Sequence, residues 1–296
     1  MAATYKERAK RVEKEMLELD HEQASLHIDV LKRFMPDSLF SIDFDGVRMM
    51  LLVKRLVAKS RIARDFVVEQ FRMEEDVGRL LRDEELTIDQ YAFACDINEM
   101  ATFIISEGEY FLGALHKAKV STFHGLTSQL GELIAIETGL DQLLRLIISE
   151  DLDFNGSFAE LRAAAQRLHV INISHLEPIL PPTPSEHMAM AMPILSSAAE
   201  SIVAQLQNFK VTVSQGLEGQ LEVPTERLLA YLHTVEENST MLKQAARKIF
   251  RKLPDEKEVT LEYGDDVKEV TGNATYQAHE ANGIIRSALL AVKVSL

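Results

Sequence analysis

The feature that most constrains this chain is a segment of seven residues of which four are proline. Proline lacks a backbone N–H and restricts the residue before it, so no helix can run through such a segment. We therefore expect the main internal boundary here, between a first helical lobe at residues 36–180 and a second at 185–296. The four prolines are Pro178, Pro181, Pro182 and Pro184.

Helical patterns dominate on both sides of this boundary. No long window alternates apolar and polar residues, and the 13 glycines are scattered rather than placed in hairpin turns. We therefore expect an all-α fold of helical bundles without a sheet, in which residues 185–254 form an antiparallel helical hairpin. The predicted helices run from Val47 to about Arg72, from Thr87 to about Lys117, from Ser121, from Thr138, from the capping box Ser157–Glu160 to about His175, from Ser185 to about Gln215, from Thr225 to Pro254 and from about Asp265 to Leu296.

Residues 1–35 carry a heptad pattern. Seam residues follow one another at alternating steps of four and three, the spacing of a coiled coil, and Gln23 is a polar seam residue of the kind that sets register. An amphipathic helix docked on its own domain gives the same pattern, so both interpretations stand. The seam loses register at Phe34, Pro36 ends the helix, and Asp37 or Ser38 can cap the next one, so we predict the end of a coiled-coil helix within a longer protein. The seam is Tyr5, Ala9, Val12, Met16, Leu19, Gln23, Leu26 and Val30.

Charge and cysteine content limit the partners and the compartment. The chain has 46 acidic and 32 basic side chains, a formal charge of −14, which disfavours nucleic acid and anionic membranes as global partners. No secretory signal opens the chain, and no apolar run approaches the about 20 residues that cross a bilayer. The single cysteine, Cys95, lies on an apolar helix face and is expected to be a buried, inert thiol. We therefore predict a cytoplasmic protein without a transmembrane segment.

Sequence motifs for catalysis and for metal or nucleotide binding are absent. No histidine pair has the i, i+4 spacing of a zinc helix, and one cysteine cannot build a thiolate cluster. Glycine-rich phosphate loops and nucleophile elbows are also absent. We therefore predict no enzymatic activity, no catalytic residue, no metal and no cofactor. The motifs Asp20-His21-Glu22 and His279-Glu280 are predicted to be solvated helix surface, and His169 and His175 cannot share an ion through one helix.

Six basic residues and no acidic residue occur between Gly46 and Arg64, and we call these six the first basic cluster. Apolar residues are interleaved, so the helix is expected to bury one face and present a basic one. The basic residues can pair with acidic neighbouring helices or bind a partner protein, and the sequence leaves both open. The cluster is Arg48, Lys54, Arg55, Lys59, Arg61 and Arg64, of which Arg48, Arg55 and Lys59 are our candidates for protein binding.

A second basic cluster lies within ten residues just before Leu253-Pro254, at a predicted helix C-terminus. The helix dipole favours cations there by about 0.3–1 kcal/mol each, which is a purely structural explanation. Five basic residues exceed what capping needs, so docking of an acidic protein surface is an equally good explanation. The cluster is Lys243, Arg247, Lys248, Arg251 and Lys252, and all five are candidates for protein binding.

Several motifs resemble the dynein-associated region of the largest, Glued-type subunit of dynactin. The most distinctive are Phe34-Met-Pro-Asp-Ser38, which follows the heptad helix, and the basic helix end Ala245–Pro254. The resemblance extends in order over nearly all of the chain, at low identity after Leu56. The turn at Gly216–Gly219 and the acidic segment after Pro254 have no match. Further motifs that carry the resemblance are Met49–Leu56, Lys59–Ala63, Tyr110–His116 and Gly139–Leu144.

This resemblance implies a globular helical region between two coiled coils in the projecting arm of dynactin, the cofactor of cytoplasmic dynein in microtubule-based transport. It implies cytoplasmic dynein and other dynactin subunits as partners, a homodimer in the longer protein, and a location in the cytoplasm and on the cytoskeleton. It brings no catalytic residue and no direct microtubule binding. On this basis the basic clusters are predicted to dock the upstream coiled coil of the same subunit and to mask its dynein-binding surface. The rival hypothesis is a membrane- or actin-associated helical bundle.

Overall fold

The computed structural model describes residues 37–73, 81, 86–119, 125–149, 152–153, 158–216, 225–253 and 264–295. Within these ranges the chain forms seven α-helices and no strand, which confirms the predicted all-α fold. A 3-10 turn precedes α3 and a π-helical turn at Asn172–Leu176 follows α4. The helices are α1 (Asp37–Gln70), α2 (Ile88–Lys117), α3 (Leu130–Ile148), α4 (Ala159–Ile171), α5 (Pro184–Gly216), α6 (Thr225–Phe250) and α7 (Asp265–Ser295).

The chain divides into two compact units, Met1–Arg48 and Met49–Leu296. In the first unit the described residues are 37–48, which form the first turns of α1. The predicted coiled-coil helix of residues 1–35 lies outside the described residues. In the second unit the helices pack into one bundle, and the sections below concern this unit.

Two helix starts follow local capping chemistry. Thr87 caps α2 in a capping box with Gln90: the Thr87 hydroxyl accepts from the Gln90 N–H at 3.2 Å, and the Gln90 side chain accepts from the Thr87 N–H at 3.0 Å. Thr183 and Glu186 cap α5 in the same way, and this helix begins at Pro184, one residue before the predicted start at Ser185. The predictions for α2 and α7 agree with the structure within one residue.

Two predicted helix starts were wrong. Helix α1 begins at Asp37 and continues through the Asp45-Gly46 pair, where a separate start was expected. Thr138 lies inside α3, where its hydroxyl donates to the carbonyl of Ile134 at 3.0 Å instead of capping a new helix. Helix α4 begins at Ala159 with Phe158 at its N-cap, and Ser157 of the predicted capping box lies outside the described residues.

Helix α2 is the central helix of the bundle. Of its 30 residues 20 are buried, because α1, α3, α4 and α5 contribute to the same hydrophobic core around it. Phe93 and Phe103 of α2 are fully buried, as are Leu52 and Leu56 of α1. Cys95 is 0% exposed, which confirms the predicted buried thiol, and this burial raises the pKa of Cys95 well above its usual value.

Helix α5 packs on α2, α6 and α7. It runs antiparallel to α6, because Leu195, which precedes Ile202 on α5, packs with Ala246, whereas Ile202 packs with Leu232, which precedes Ala246 on α6. Residues Pro184–Thr212 are long and apolar enough to cross a membrane, with a mean hydropathy of 1.3, but 67% of the most apolar window is buried inside the bundle. This burial is typical of the core helix of a soluble bundle.

The proline-rich segment forms the turn that precedes α5, and helices on both sides of the turn share the large core. Tyr110 of α2 fixes the turn by donating its hydroxyl to the carbonyl of Leu180 at 2.9 Å. The division into lobes at 36–180 and 185–296 stays a prediction.

The close approach of α1 and α2 at Gly108 gives a test of the core. A Cβ at Gly108 would lie 2.6 Å from Val57 Cγ2, and the β-branched Val57 has little freedom to move. We expect Gly108→Ala to lower the free energy of unfolding by about 1–3 kcal/mol, the usual cost of overpacking. Urea unfolding followed by circular dichroism measures the change. Gly113→Ala on the same helix is the control, because nothing lies within 4 Å of its added Cβ; equal effects of the two substitutions would contradict the packing.

Candidate functional site

Two residues of the first basic cluster form ion pairs with acidic residues of α3. Arg55 of α1 donates through Nε to Glu137 Oε1 at 2.8 Å and through Nη2 to Glu137 Oε2 at 3.1 Å. Lys59 lies 2.8 Å from the same carboxylate and 2.5 Å from Asp141 Oδ1. The Arg55 hydrogen bond, together with Lys59, lowers the pKa of Glu137 to about 2. These pairs join α1 to α3.

Of the other four residues of the first cluster, two form ion pairs at the surface and two are exposed to solvent. Arg61 pairs with Glu109 of α2, and Arg64 pairs with its neighbour Asp65 at 3.1 Å. Arg48 and Lys54 are exposed. Pairing within the bundle therefore accounts for Arg55 and Lys59, and the assignment of Arg48, Arg55 and Lys59 to protein binding stays a prediction.

The second basic cluster is split between the two sides of α6. Lys243 Nζ lies 2.8 Å from Glu200 Oε1, and Arg247 Nη2 lies 3.0 Å from Glu200 Oε2. The Nε of Arg247 also donates to the hydroxyl of Ser196 at 3.1 Å. Glu200 is only 12% exposed, so this carboxylate holds both cations against α5. Lys243 and Arg247 thus fasten α6 to the bundle.

The other three residues of the second cluster point into solvent. Lys248, Arg251 and Lys252 are exposed at the C-terminal end of α6, and no described residue forms an ion pair with them. Two exposed apolar side chains lie between them, Ile249 at 42% and Phe250 at 48% exposure. We call these five residues the basic end of α6. A cationic surface with apolar side chains can bind an acidic amphipathic partner.

The bundle also contains a buried charge cluster that sequence reasoning missed. Asp96 and Glu99 of α2 are 2% and 0% exposed, and Arg162 of α4 pairs with both, at 2.9 Å between Nη1 and Glu99 Oε2. From α7, His279 Nδ1 faces Glu99, and the Asn282 amide donates to Asp96 Oδ1 at 3.1 Å. The cluster joins α2, α4 and α7 at the centre of the bundle.

Burial and pairing act in opposite directions on the two carboxylates. Burial raises the pKa of Asp96, and the opposing effect of Arg162 does not fully offset it. Burial also acts to raise the pKa of Glu99, but His279 and Arg162 outweigh it and hold that pKa below its usual value. Glu99 is therefore the firmly ionised member of the cluster.

The prediction that His279 is a solvated surface residue was wrong. His279 is 0% exposed and stacks on Phe103 with ring centroids 4.3 Å apart, whereas its neighbour Glu280 is exposed. The signal was the spacing of polar residues on α7, where His279, Asn282 and Arg286 share one helix face with the buried Leu289. The motif Asp20-His21-Glu22 lies outside the described residues.

A second buried polar group lies where α4 changes into the π-helical turn. Glu107 of α2, 1% exposed, accepts from Asn172 Nδ2 at 2.6 Å and faces His169 Nδ1 at 2.8 Å. Burial acts to lower the pKa of His169, but the hydrogen bond to Glu107 and the negative charges of Glu107 and Glu177 together outweigh it and raise the pKa above its usual 6.5. His175 is exposed and takes no part.

A described cleft of about 380 Å³ is lined by His169, His187, Glu107 and Lys268 among others. Burial lowers the pKa of His187, which disfavours its charged form. Across the described ranges, no three His, Cys, Asp or Glu side chains are placed to hold a metal ion. The exposed basic end of α6 is therefore the best candidate for a functional surface.

Comparison with known proteins gives a consistent result. A family profile described as "Dynactin: Dynein associated protein" matches residues 1–253. Dynactin subunit 1 of Drosophila melanogaster is 24% identical over 263 residues, which is 88% of this chain and 20% of that protein. The proteins of the same name from Xenopus laevis and Gallus gallus are 24% and 23% identical over 268 and 257 residues, in each case 85% of this chain and 20% of the relative. The chain thus spans about a fifth of the length of these relatives.

The buried charge cluster predicts a large cost for removing its cation. Arg162→Met leaves the Asp96 and Glu99 carboxylates buried without their guanidinium partner, and we expect the free energy of unfolding to fall by about 3–5 kcal/mol. Arg167→Met on the same helix is the control, because its pair with Glu132 is half exposed and contributes about 0–1 kcal/mol. Urea unfolding measures both variants. A loss below 1 kcal/mol for Arg162→Met would show that the cluster is not needed for stability.

The pair of His169 and Glu107 predicts a pH dependence. Because the folded-state pKa of His169 is raised above 6.5, its stabilising contribution is fully present below pH 6.5 and is lost as the pH rises through the folded pKa. We therefore expect the stability difference between the wild type and His169→Gln to be larger at pH 6 than at pH 9. Denaturant unfolding at both pH values tests this. A difference that grows with pH would contradict the assignment.

Proposed function

Because this chain belongs to the dynein-associated protein family of dynactin, we propose that it is a non-catalytic scaffold and interaction module of the dynactin arm. In this role it supports cytoplasmic dynein in microtubule-based transport, and it works in the cytoplasm on the cytoskeleton. Its partners are cytoplasmic dynein and other dynactin subunits. The heptad pattern of residues 5–30 supports a homodimer in the longer protein, since such a seam pairs two helices.

One observation carries the proposal of a docking function, namely the exposed basic end of α6. In a chain of formal charge −14, Lys248, Arg251 and Lys252 point away from the bundle at one helix end. The other two members of the same cluster, Lys243 and Arg247, are held by Glu200. Among the described residues, structural pairing therefore explains part of the cluster and leaves three cations for a partner.

The docking partner in this proposal is the upstream coiled coil of the same subunit. When docked on the basic end, it would mask its own dynein-binding surface, and release would expose that surface. The first basic cluster contributes less, because Glu137 and Asp141 already bind Arg55 and Lys59. Membership of this family does not favour the membrane- or actin-associated bundle considered above.

Charge reversal tests this docking function. We expect the triple variant Lys248→Glu, Arg251→Glu and Lys252→Glu to weaken binding of the upstream coiled coil by about tenfold or more at low salt, because three attractive pairs become repulsive. Pull-down and titration with the purified coiled coil, with and without the dynein intermediate chain, measure the change.

The matched control reverses three exposed basic residues outside both basic clusters, Lys119, Arg145 and Arg227. It has the same change in net charge, so a general electrostatic effect would weaken binding equally in both variants. Unchanged affinity of the α6 variant at low salt would overturn the proposal.

A further inference from the structure

Helices α6 and α7 lie side by side on α5. Ala246 of α6 and Ala278 of α7 belong to one apolar cluster with α5, and Leu232 of α6 belongs to a second cluster with Ile285 of α7. Because these residues follow one another in opposite order along the two helices, α6 and α7 are antiparallel neighbours. Within the described residues both helices pack chiefly on α5, and each carries exposed apolar residues on its outer side.

The exposed stripe of α6 has the spacing of a heptad repeat. Tyr231 is 68% exposed, Leu242 36% and Ile249 42%, and the steps along the stripe alternate between four and three residues. Helical geometry places the stripe roughly a quarter-turn round α6 from the buried Ser239, on the face that packs on α5. We call it the α6 seam, and its residues are Tyr231, Val235, Asn238, Leu242, Ala245 and Ile249.

Helix α7 carries a matching stripe. Val270 and Ile284 are both 68% exposed, Gln277 and Ala288 are exposed as well, and the steps again alternate between four and three residues. Each stripe spans about 19 residues, or about 28 Å of helix. Neither stripe contains a charged residue, although Asp, Glu, Lys and Arg form 26% of the chain. We call the second stripe the α7 seam, and its residues are Val270, Ala274, Gln277, Ala281, Ile284 and Ala288.

We propose that the α6 and α7 seams bind the same two seams of a second copy of this chain, so that four helices form an intermolecular bundle about a two-fold axis. Single exposed apolar residues are ordinary, but two neighbouring heptad series of uncharged residues form a continuous surface. The inference goes beyond the proposed docking function and does not depend on it, because Lys248 and Arg251 of the basic end are not seam residues.

The surface is large enough for a specific interface. Two helices that lie 8–10 Å apart form a face of about 28 Å by 20 Å. Two copies would therefore bury about 1,100 Å² together, above the about 1,000 Å² that a specific interface needs. A second copy also matches this face in length and in number of layers, since it presents the same two seams.

The distribution of large and small side chains selects an antiparallel arrangement, in which α6 pairs with α6 of the other copy and α7 with α7. Ala245 of one copy then lies level with Val235 of the other. In the same layer, Ala274 lies level with Ile284 of the other copy. If the two-fold axis ran along the helices instead, Ala245 and Ala274 would meet their own counterparts, and a layer of four alanines would leave a void.

The polar seam residues fix the register of this arrangement. Each seam has one polar residue, Asn238 on α6 and Gln277 on α7, in both cases third from the N-terminal end. In the antiparallel arrangement Asn238 of one copy lies in the same layer as Gln277 of the other. A shift by one heptad would bury each amide against apolar residues, which costs free energy when no hydrogen-bond partner is near.

A cysteine placed near the two-fold axis tests the interface. Met241 is 67% exposed beside the middle of the α6 seam and would lie next to Met241 of the second copy. We expect a short bismaleimide to convert the full chain carrying Met241→Cys into a covalent dimer, measured by denaturing electrophoresis. The native Cys95 is 0% exposed and does not react. This measurement reports the α6 contact itself, whereas molecular mass alone would not distinguish it from dimerisation through a coiled coil.

The control for the cross-link is Gln244→Cys. Gln244 is exposed and lies about 200° round α6 from Leu242, on the side away from the seam. We expect it to give at least tenfold less covalent dimer. No covalent dimer from Met241→Cys, or equal cross-linking of the two variants, would overturn the inference.

Charges placed in the seams give a second measurement. Ile284→Asp, added to Met241→Cys, should lower the yield of covalent dimer by about tenfold or more, because it brings two carboxylates into the core of the intermolecular bundle. Ile62→Asp on α1, a residue of 59% exposure outside the seams, is the control and should leave the yield unchanged. Circular dichroism checks that each variant is folded. A yield that Ile284→Asp does not lower would contradict the interface.

The same variants separate this inference from the proposed docking function. If Met241→Cys gives no covalent dimer, but Ile284→Asp weakens binding of the upstream coiled coil, that coiled coil covers the seams and the inference is wrong. If the covalent dimer forms, but charge reversal of the basic end leaves coiled-coil binding unchanged, the docking function fails and the inference stands.

Discussion

The packing of this bundle depends on charges that are removed from water and paired with one another. Arg162 reaches Asp96 and Glu99 across 66 and 63 residues of sequence, and His279 reaches Glu99 across 180. A buried carboxylate without its partner would cost several kcal/mol, so the three helices that carry the cluster can pack in few other arrangements. The apolar core supplies most of the stabilisation, whereas the cluster specifies which helix faces meet.

The polar contacts continue along the interfaces of α5 with α2 and α7. Ser201 donates to Asn282 Oδ1 at 3.0 Å, Gln205 Nε2 donates to the carbonyl of Ala92 at 3.0 Å, and Asn208 donates to Asp89 at 2.7 Å. Helix α5 is thereby fixed on the side of α2 and α7. Helix α6 packs on α5 through Leu232 and Ala246 and is paired with it through Glu200. Within the described residues, the other side of α6 and its C-terminal end are exposed.

Local chemistry made much of the fold predictable. Thr87 with Gln90, and the prolines before α5, fix helix ends through backbone hydrogen bonds within a few residues, which a sequence displays directly. The candidate site was predictable only as a basic cluster. Whether a basic side chain forms an ion pair within the fold depends on carboxylates far away in sequence, such as Glu137, which lies 82 residues from Arg55. His279 was misjudged for the same reason, because a polar face that lines a buried cluster has the same periodicity as a solvated one.

An acidic chain can nevertheless offer a basic docking site, because charge acts locally. At physiological ionic strength the Debye length is about 8 Å, so exposed carboxylates farther away are largely screened from the end of α6. Lys243 and Arg247, four residues apart, share the side of α6 that meets Glu200, whereas Lys248 lies on the exposed side. Helical periodicity thus divides one basic cluster into a part that anchors the helix and a part that can bind.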